Sequence, residues 1–403
     1  MRRPELDSIL STMLDAAPEV SDLLFTVDKP LQVEAAGELT PVESEPPLVR
    51  LTPYQTEVIA LNLIGENIWQ IKDLLRTGSC DAAYTVMDKA RFRINIFSQR
   101  GNYSIVLRKL NTKIPTLESL KLPEIINQIP REKTGLVLVT GATGSGKSTT
   151  LAAVLSEFNR TKAIHVITLE DPIEFVHPHD KATFNQRELG TDYDSFANGL
   201  RAALRQAPKV ILVGEMRDKE TVKIALSAAE TGHLVLSTLH TVDAGQTVNR
   251  ILGMFETEEQ EQMRLRLADT LRWVVSQRLV PKIGGGRWAL LEIMGSNLRT
   301  KETIVQGESE GKTFYEIIES SQSFGWRTFD SSAVEAYDQG VITEESAILY
   351  CSKRGPVSRA IDNLKKSRGE STTQLNGLRM KAPVNTGNGS KPSPPIPATL
   401  KLK

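Results

Sequence analysis

The chain has only two cysteines, Cys80 and Cys351, far apart in 403 residues. They make neither a disulfide framework nor a C-x-x-C metal pair, which fits a reducing compartment and argues against zinc. Neither sign of charge is in excess. Lys plus Arg number 49 and so do Asp plus Glu, so no global field draws the chain to nucleic acid or an anionic membrane. Aromatic residues are scarce at 5%, and with balanced charge this leaves a nucleic-acid translocase without a stacking platform or an electrostatic groove. No stretch approaches the ~20 apolar residues needed to span a bilayer. The start, Met1-Arg-Arg-Pro-Glu5, leads into Leu6, Ile9, Leu10, Met13 and Leu14 at amphipathic helical spacing, unlike a signal peptide. A cytoplasmic location is expected, with any membrane role exercised through a partner.

Hydrophobic residues make up 40% of the chain, ordinary for a globular protein, and the length allows two or three domains of the usual ~100 to 200 residues. After the first helix, Ser21–Val27 and Leu31–Glu34 read as short strands around the turn Asp28-Lys-Pro30, and residues 54 to 75 as helix. Arg91–Ile96 alternates Phe92, Ile94 and Ile96 with Arg91, Arg93 and Asn95, and Ser104–Arg108 alternates similarly. These segments predict a small α+β domain over residues 1–111.

Over residues 112–366, short Val/Leu/Ile runs at 135–140, 164–169, 209–213 and 233–237 alternate with helical segments. That rhythm predicts an α/β core, a mostly parallel sheet with helices on both faces. The run 257–280 places Leu267, Leu271, Val274 and Val275 on one helical stripe, and 312–366 reads as several short helices. Residues 367–403, rich in Ser, Asn, Gly, Pro and Lys, cannot bury enough apolar surface to order themselves, and a disordered tail is expected.

The segment Gly141-Ala-Thr-Gly-Ser-Gly-Lys-Ser-Thr149 follows the apolar run Gly135–Thr140 and precedes a helix-forming stretch that begins at Thr150. It reads as a phosphate-binding loop. Gly141, Gly144 and Gly146 let backbone N–H groups turn inward around a triphosphate, with Thr143, Ser145 and Thr149 in the same loop, and the next helix aims its positive end at that charge. Lys147 would reach the β- and γ-phosphates of ATP, and Ser148 offers a hydroxyl to Mg²⁺. Hydrolysis further needs a carboxylate to hold or polarise water and cations to neutralise the departing phosphoryl group. Val210-Ile-Leu-Val-Gly-Glu215 has the shape of a Walker B strand in which Gly214 replaces the usual aspartate, leaving Glu215 near the metal and its waters. Thr168-Leu-Glu-Asp-Pro-Ile-Glu174 follows another apolar strand, so its carboxylates fall at the carboxyl edge of the sheet, where ligands bind in open α/β folds. Thr231–Thr241 sets His233 and His240 around a further buried strand.

These four motifs, in this order, resemble the secretion-type hexameric ATPases of type II secretion and type IV pili, most closely the pilus retraction ATPase (PilT) family, over roughly residues 5 to 365. The resemblance implies a RecA-like core behind a smaller N-terminal PAS-like domain. It makes Glu174 the catalytic base, Glu215 the Walker B carboxylate that meets Mg²⁺ through water, and His240 a γ-phosphate sensor, with Glu170 and Asp171 in support. Arg201 and Arg205, four apart, would share one helical face turned towards the nucleotide. Arg93 and Arg108 match first-domain arginines that close on the phosphates. The resemblance also implies a homo-hexamer acting on a polytopic platform protein at the inner membrane, with a paralogous pilus ATPase as a further candidate partner. Retraction motors are favoured over assembly or secretion relatives, which commonly carry an extra N-terminal domain and a four-cysteine zinc insert. An accessory PilU-like paralogue and an assembly motor are the alternatives. The family's short C-terminal Ala-Ile-Arg-Ala-Gly-Glu-like motif has no clean equivalent in Asn297–Glu310, and its early Ser-Asp-Leu-His stands as Ser21-Asp-Leu-Leu24.

Overall fold

The computed structural model describes residues 3–44, 47–86, 89–110 and 113–370. The expected tail from 371 onward, and the first two positions of the Asn111–Pro115 link, lie outside the described residues.

The N-terminal part is an antiparallel sheet of β1 (Val20–Phe25), β2 (Gln32–Ala35), β3 (Glu38–Pro41), β4 (Ser79–Val86), β5 (Ala90–Gln99) and β6 (Asn102–Leu110), in the order β3-β2-β1-β6-β5-β4. The helices Arg3–Asp15, Pro53–Ile64 and Ile68–Thr77 cover one face and share a core with it. Phe92, Ile94 and Ile96 of β5 are fully buried there beside Leu6, Leu10 and Met13, so strand alternation leaves Arg91, Arg93 and Asn95 on the opposite face. The expected single helix over 54–75 is two. Gly65 closes the first, and the Asn67 side chain opens the second by accepting from the N–H groups of Trp69 and Gln70.

The second sheet holds β7 (Gly135–Thr140), β8 (His165–Glu170), β9 (Thr183–Glu188), β10 (Val210–Val213), β11 (Leu234–Leu239), β12 (Leu271–Pro281) and β13 (Arg287–Gly295). Its order is β13-β12-β7-β11-β10-β8-β9, parallel throughout except for the β12–β13 hairpin. Leu136, Leu138, Ile167, Ile211 and Val213 pack on one face against the helices Phe196–Ala203, Lys219–Glu230, Ala244–Leu252 and Thr257–Thr270. Val137, Val139, Val166 and Leu212 pack on the other against helix Lys147–Thr161. This is the expected α/β core with helices on both faces. Short helices from Phe329 to Ser367 form a smaller cluster with Val280 and Leu290 of the hairpin.

Two element boundaries differ from the sequence reading. The helix before residue 280 ends at Thr270, and Val274 and Val275 are strand residues on opposite faces of β12. Trp273, Val274 and Val275 favour a pleated strand, and they pair with the side of β7 that β11 leaves open. The helix after the glycine-rich loop starts at Lys147 rather than Thr150, which seats its N-terminus directly on the loop.

Parallel register brings the strand ends level: Leu169 pairs with Val213, Val213 with Ser237, and Leu239 with Thr140. The segments that follow β7, β8, β10 and β11 therefore leave one edge of the sheet together. After β10 the chain turns into helix Lys219–Glu230 at Asp218, whose carboxylate accepts from the Thr221 N–H at 2.8 Å and the Thr221 hydroxyl at 2.7 Å. The acidic residue that closes the Gly214–Asp218 segment is thus a helix cap. Asp218→Ala is expected to cost about 1 kcal/mol, lowering the thermal midpoint by roughly 2–4 °C, while Asp218→Asn stays near the parent; differential scanning calorimetry reads both.

Candidate active site

The glycine-rich loop wraps back on itself through Lys147, whose Nζ donates to the carbonyls of Gly141 at 2.9 Å and Ala142 at 3.1 Å. Gly141 (φ +144°) and Gly146 (φ +88°) lie in conformations that disfavour side chains, and a Cβ on either would meet Gln277 or Ser145 at 2.4–2.8 Å. Gln277 on β12 buttresses the loop from below and accepts from the Thr150 hydroxyl at 2.8 Å. The Ser145 hydroxyl is buried with no protein partner. An ammonium hydrogen-bonded to loop carbonyls, glycines that let the loop lie against β12 and an open helix N-terminus together fit an oligophosphate.

The acidic half stands opposite. Glu170 Oε1 accepts from the Thr168 hydroxyl at 2.6 Å and Gln186 Nε2 at 3.0 Å, but burial, with Glu174 nearby, pushes its carboxyl up to about 7. Burial also raises the Asp171 carboxyl, against the pull of Arg93. Glu215 faces Arg217 Nε at 2.6 Å and His240 Nε2 at 3.7 Å. The Thr238 hydroxyl donates to the Gly214 carbonyl at 2.6 Å, stitching the ends of β10 and β11 beneath these groups. Burial lowers the ammonium pKa of Lys147, and the carboxylates of Glu174 and Glu215 hold it up.

A cavity of about 560 Å³ joins the two halves. It brings together Thr143, Gly144, Gly146, Lys147, Ser148, Thr149, Glu174, Glu215 and His240, with Arg93 reaching in from the N-terminal sheet. Gly141 and Ser145, of the same loop, are not among the lining residues. Three expected arginines are not brought there. Arg108, directly opposite Arg93 on β6, pairs with Asp22 at 2.9 Å and is 71% exposed. The expected shared face of Arg201 and Arg205 does not exist, because the helix ends at Ala203 and Arg205 lies beyond it. Arg201 turns instead to Asn198 and Glu220.

Sequence reasoning did not single out Arg217, His177, Leu279 or Arg287, all of which line the cavity. Arg217 falls inside the segment around Glu215 and was open to discovery there. Leu279 and Arg287 arrive on the β12–β13 hairpin, which no local pattern links to the loop. His177 stacks on Phe184 at 4.8 Å, and burial pushes its pKa down to about 4, so it is a neutral wall. His233 serves its turn, with Nδ1 3.1 Å from the Ala228 carbonyl.

A parallel sheet with a phosphate cradle and carboxylates at one edge defines a nucleotide-binding protein of the phosphate-loop class. The chain belongs to the type II/IV secretion system protein family, whose model matches residues 81–326, and within it to the PilT/PilU-type pilus ATPases. It is 38% identical to the type IV pilus ATPase PilU of Pseudomonas aeruginosa, over 86% of this chain and 88% of that protein. It is 40% identical to the retraction ATPase PilT of the same organism, over 81% of this chain and 93% of that protein. The crystal structure of the pilus retraction motor PilT with bound ADP superposes with a TM-score of 0.78 at 40% identity, covering 88% of this chain and 98% of that one.

Between pH 4.5, the ordinary value, and about 7, folded Glu170 keeps a proton that the unfolded chain releases, so stability falls as pH rises through that window. Glu292, which accepts the Ala244 N–H at 2.9 Å and is pushed up to about 7 by burial, adds to the same slope. Glu170→Gln keeps the acceptor and removes the titration, so it is expected to gain roughly 2–3 kcal/mol relative to the parent between pH 5 and pH 8. Paired unfolding curves across that range check it; a pH-independent difference contradicts the assignment.

Proposed function

We propose that this chain is a Mg²⁺-dependent motor ATPase that powers type IV pilus retraction as a homo-hexamer, docked on a platform protein at the inner membrane. The observation that carries this reading is that Arg93, from the first sheet, lines the same cavity as Lys147, Glu174 and Glu215 of the second. We divide the chain into two working parts near residue 111, on the strength of their separate hydrophobic cores. Among the described residues no helix is long and apolar enough to cross a membrane, so the docking is assigned to a partner.

In this reading the loop N–H groups and Lys147 bind the phosphates, and Lys147 exchanges its two carbonyl partners for phosphate oxygens. Ser148 and Glu215 offer the hard oxygen donors that suit Mg²⁺, which when bound neutralises charge on the phosphate oxygens. Glu174 orients the attacking water and takes its proton. His240, adjacent to Glu215, reads the terminal phosphate, and Arg93 adds positive charge as the first part closes. An arginine supplied across a moving boundary makes hydrolysis depend on closure, which turns chemistry into a stroke.

The accessory, PilU-like role is the second reading, favoured by one observation: the PilU and PilT relatives match at nearly equal identity. Where the retraction motif is expected, this chain has a helix, Leu298–Gln306, that leaves Leu298 exposed.

Lys147→Ala and Glu215→Ala are each expected to lower steady-state phosphate release with ATP and Mg²⁺ by at least about 100-fold, as removal of transition-state stabilisation does. Turnover within twofold of the parent contradicts the site. Deleting the gene is expected to leave excess, non-retracting surface pili; bald cells point to assembly instead.

A further inference from the structure

The strand that brings Arg93 to the cavity makes a second contact with the ATPase core. Arg91, two residues earlier on the same face of β5, pairs with Glu188 at the end of β9 at 2.8 Å, and the two side chains are 17% and 10% exposed. Arg91 Nε also donates to the Ile173 carbonyl at 3.0 Å, and the Ile173 N–H donates to the same Glu188 oxygen at 3.2 Å. One ion pair thus holds both backbone groups of Ile173, the residue immediately before Glu174. Half of that pair belongs to the first sheet. Alongside, Asn67 Nδ2 donates to the Gly190 carbonyl at 2.9 Å, seating the first sheet's helices on the turn after β9.

We propose that Arg91 and Glu188 are positioning residues that hold the Ile173–Glu174 segment in its working place only while the first part is closed on the second. The movement that delivers Arg93 then also sets the base, so an open subunit lacks both. Arg91 suits this task because its planar fork reaches the carboxylate and the carbonyl at once, which a lysine cannot do. Neither Arg91 nor Glu188 lines the cavity, so the proposed effect passes through Glu174, where a displacement of about 1 Å costs rate rather than affinity. This inference rests on Glu174 being the base.

Three variants test it: Arg91→Met, Glu188→Gln and Arg91→Lys, compared for kcat and for Kd of a fluorescent ADP analogue. Arg91→Met and Glu188→Gln are each expected to lower kcat roughly 10- to 30-fold with Kd within about threefold of the parent. Their combination is expected to be no slower than the slower single variant, since both release the same clamp. Arg91→Lys is expected to recover only part of the rate. Parental kcat in Arg91→Met, a loss matched by weaker binding, or multiplying losses in the double variant would overturn the proposal. Should Arg91→Met fail to fold, Arg91→Lys with Glu188→Gln carries the same comparison. Glu174→Gln separates the two readings. If it keeps parental turnover, the base assignment is wrong whatever Arg91 does; if it is inactive while Arg91→Met turns over normally, only the clamp is wrong.

Discussion

The site depends on parallel strands that end level. Parallel pairing needs crossovers and burial on both faces, and here the apolar residues of β7, β8, β10 and β11 meet helices on each side. With Leu169, Val213, Ser237, Leu239 and Thr140 in register, the loop at 141–146, the acidic segment 171–174, Glu215 and His240 all issue from one edge. Residues remote in sequence share a cavity because the sheet brings them to one edge. A register slip of one residue in any of these strands would turn its core side chains to the wrong face, so the same burial that stabilises the core fixes the site.

Crowding carboxylates at that edge costs free energy, and the structure shows how the cost is offset. Glu170 is buried and keeps its proton close to neutral pH, so it joins its neighbours as a hydrogen-bonded wall rather than as another charge. Glu215 has Arg217, and Asp171 feels Arg93. Lys147 remains folded onto its own loop carbonyls. That arrangement is a poor destination for a buried ammonium, because neutral carbonyls compensate its desolvation less well than phosphate oxygens would. A ligand carrying phosphate relieves it, and this difference orients the loop towards binding.

Much of this was legible in the sequence because the chemistry sits at ends of apolar runs. The glycine-rich loop, Glu174, Glu215 and His240 each follow a strand that its Val/Ile/Leu content announces, and Arg93 is forced outward by Phe92 and Ile94. What failed was local periodicity where tertiary pairing decides. Val274 and Val275 satisfy a helical stripe as well as a strand, and only tertiary pairing with β7 selects the strand. The four-residue spacing of Arg201 and Arg205 presupposes a helix that stops at Ala203, and Glu220 on the adjoining helix captures Arg201 first. Gln277, Leu279 and Arg287 reach the loop on a hairpin, a contact with no local signature.

The first sheet has little freedom in what it presents. Burying Phe92, Ile94 and Ile96 against its helices commits Arg91 and Arg93 to the other face together. Across that face Arg93 lies directly opposite Arg108, a like-charged neighbour that would weaken the pair, and Arg108 lies directly opposite Asp22 of β1, with which it pairs. Asp22 draws Arg108 along the sheet and leaves Arg93 free to address the cavity. The core of one small sheet therefore decides that both arginines meet the second sheet's residues from the same face. Sliding β5 by one residue to withdraw either would expose three large apolar side chains. In the proposed motor, coupling between closure and chemistry is in this sense a by-product of strand alternation, secured by hydrophobic burial within the first sheet.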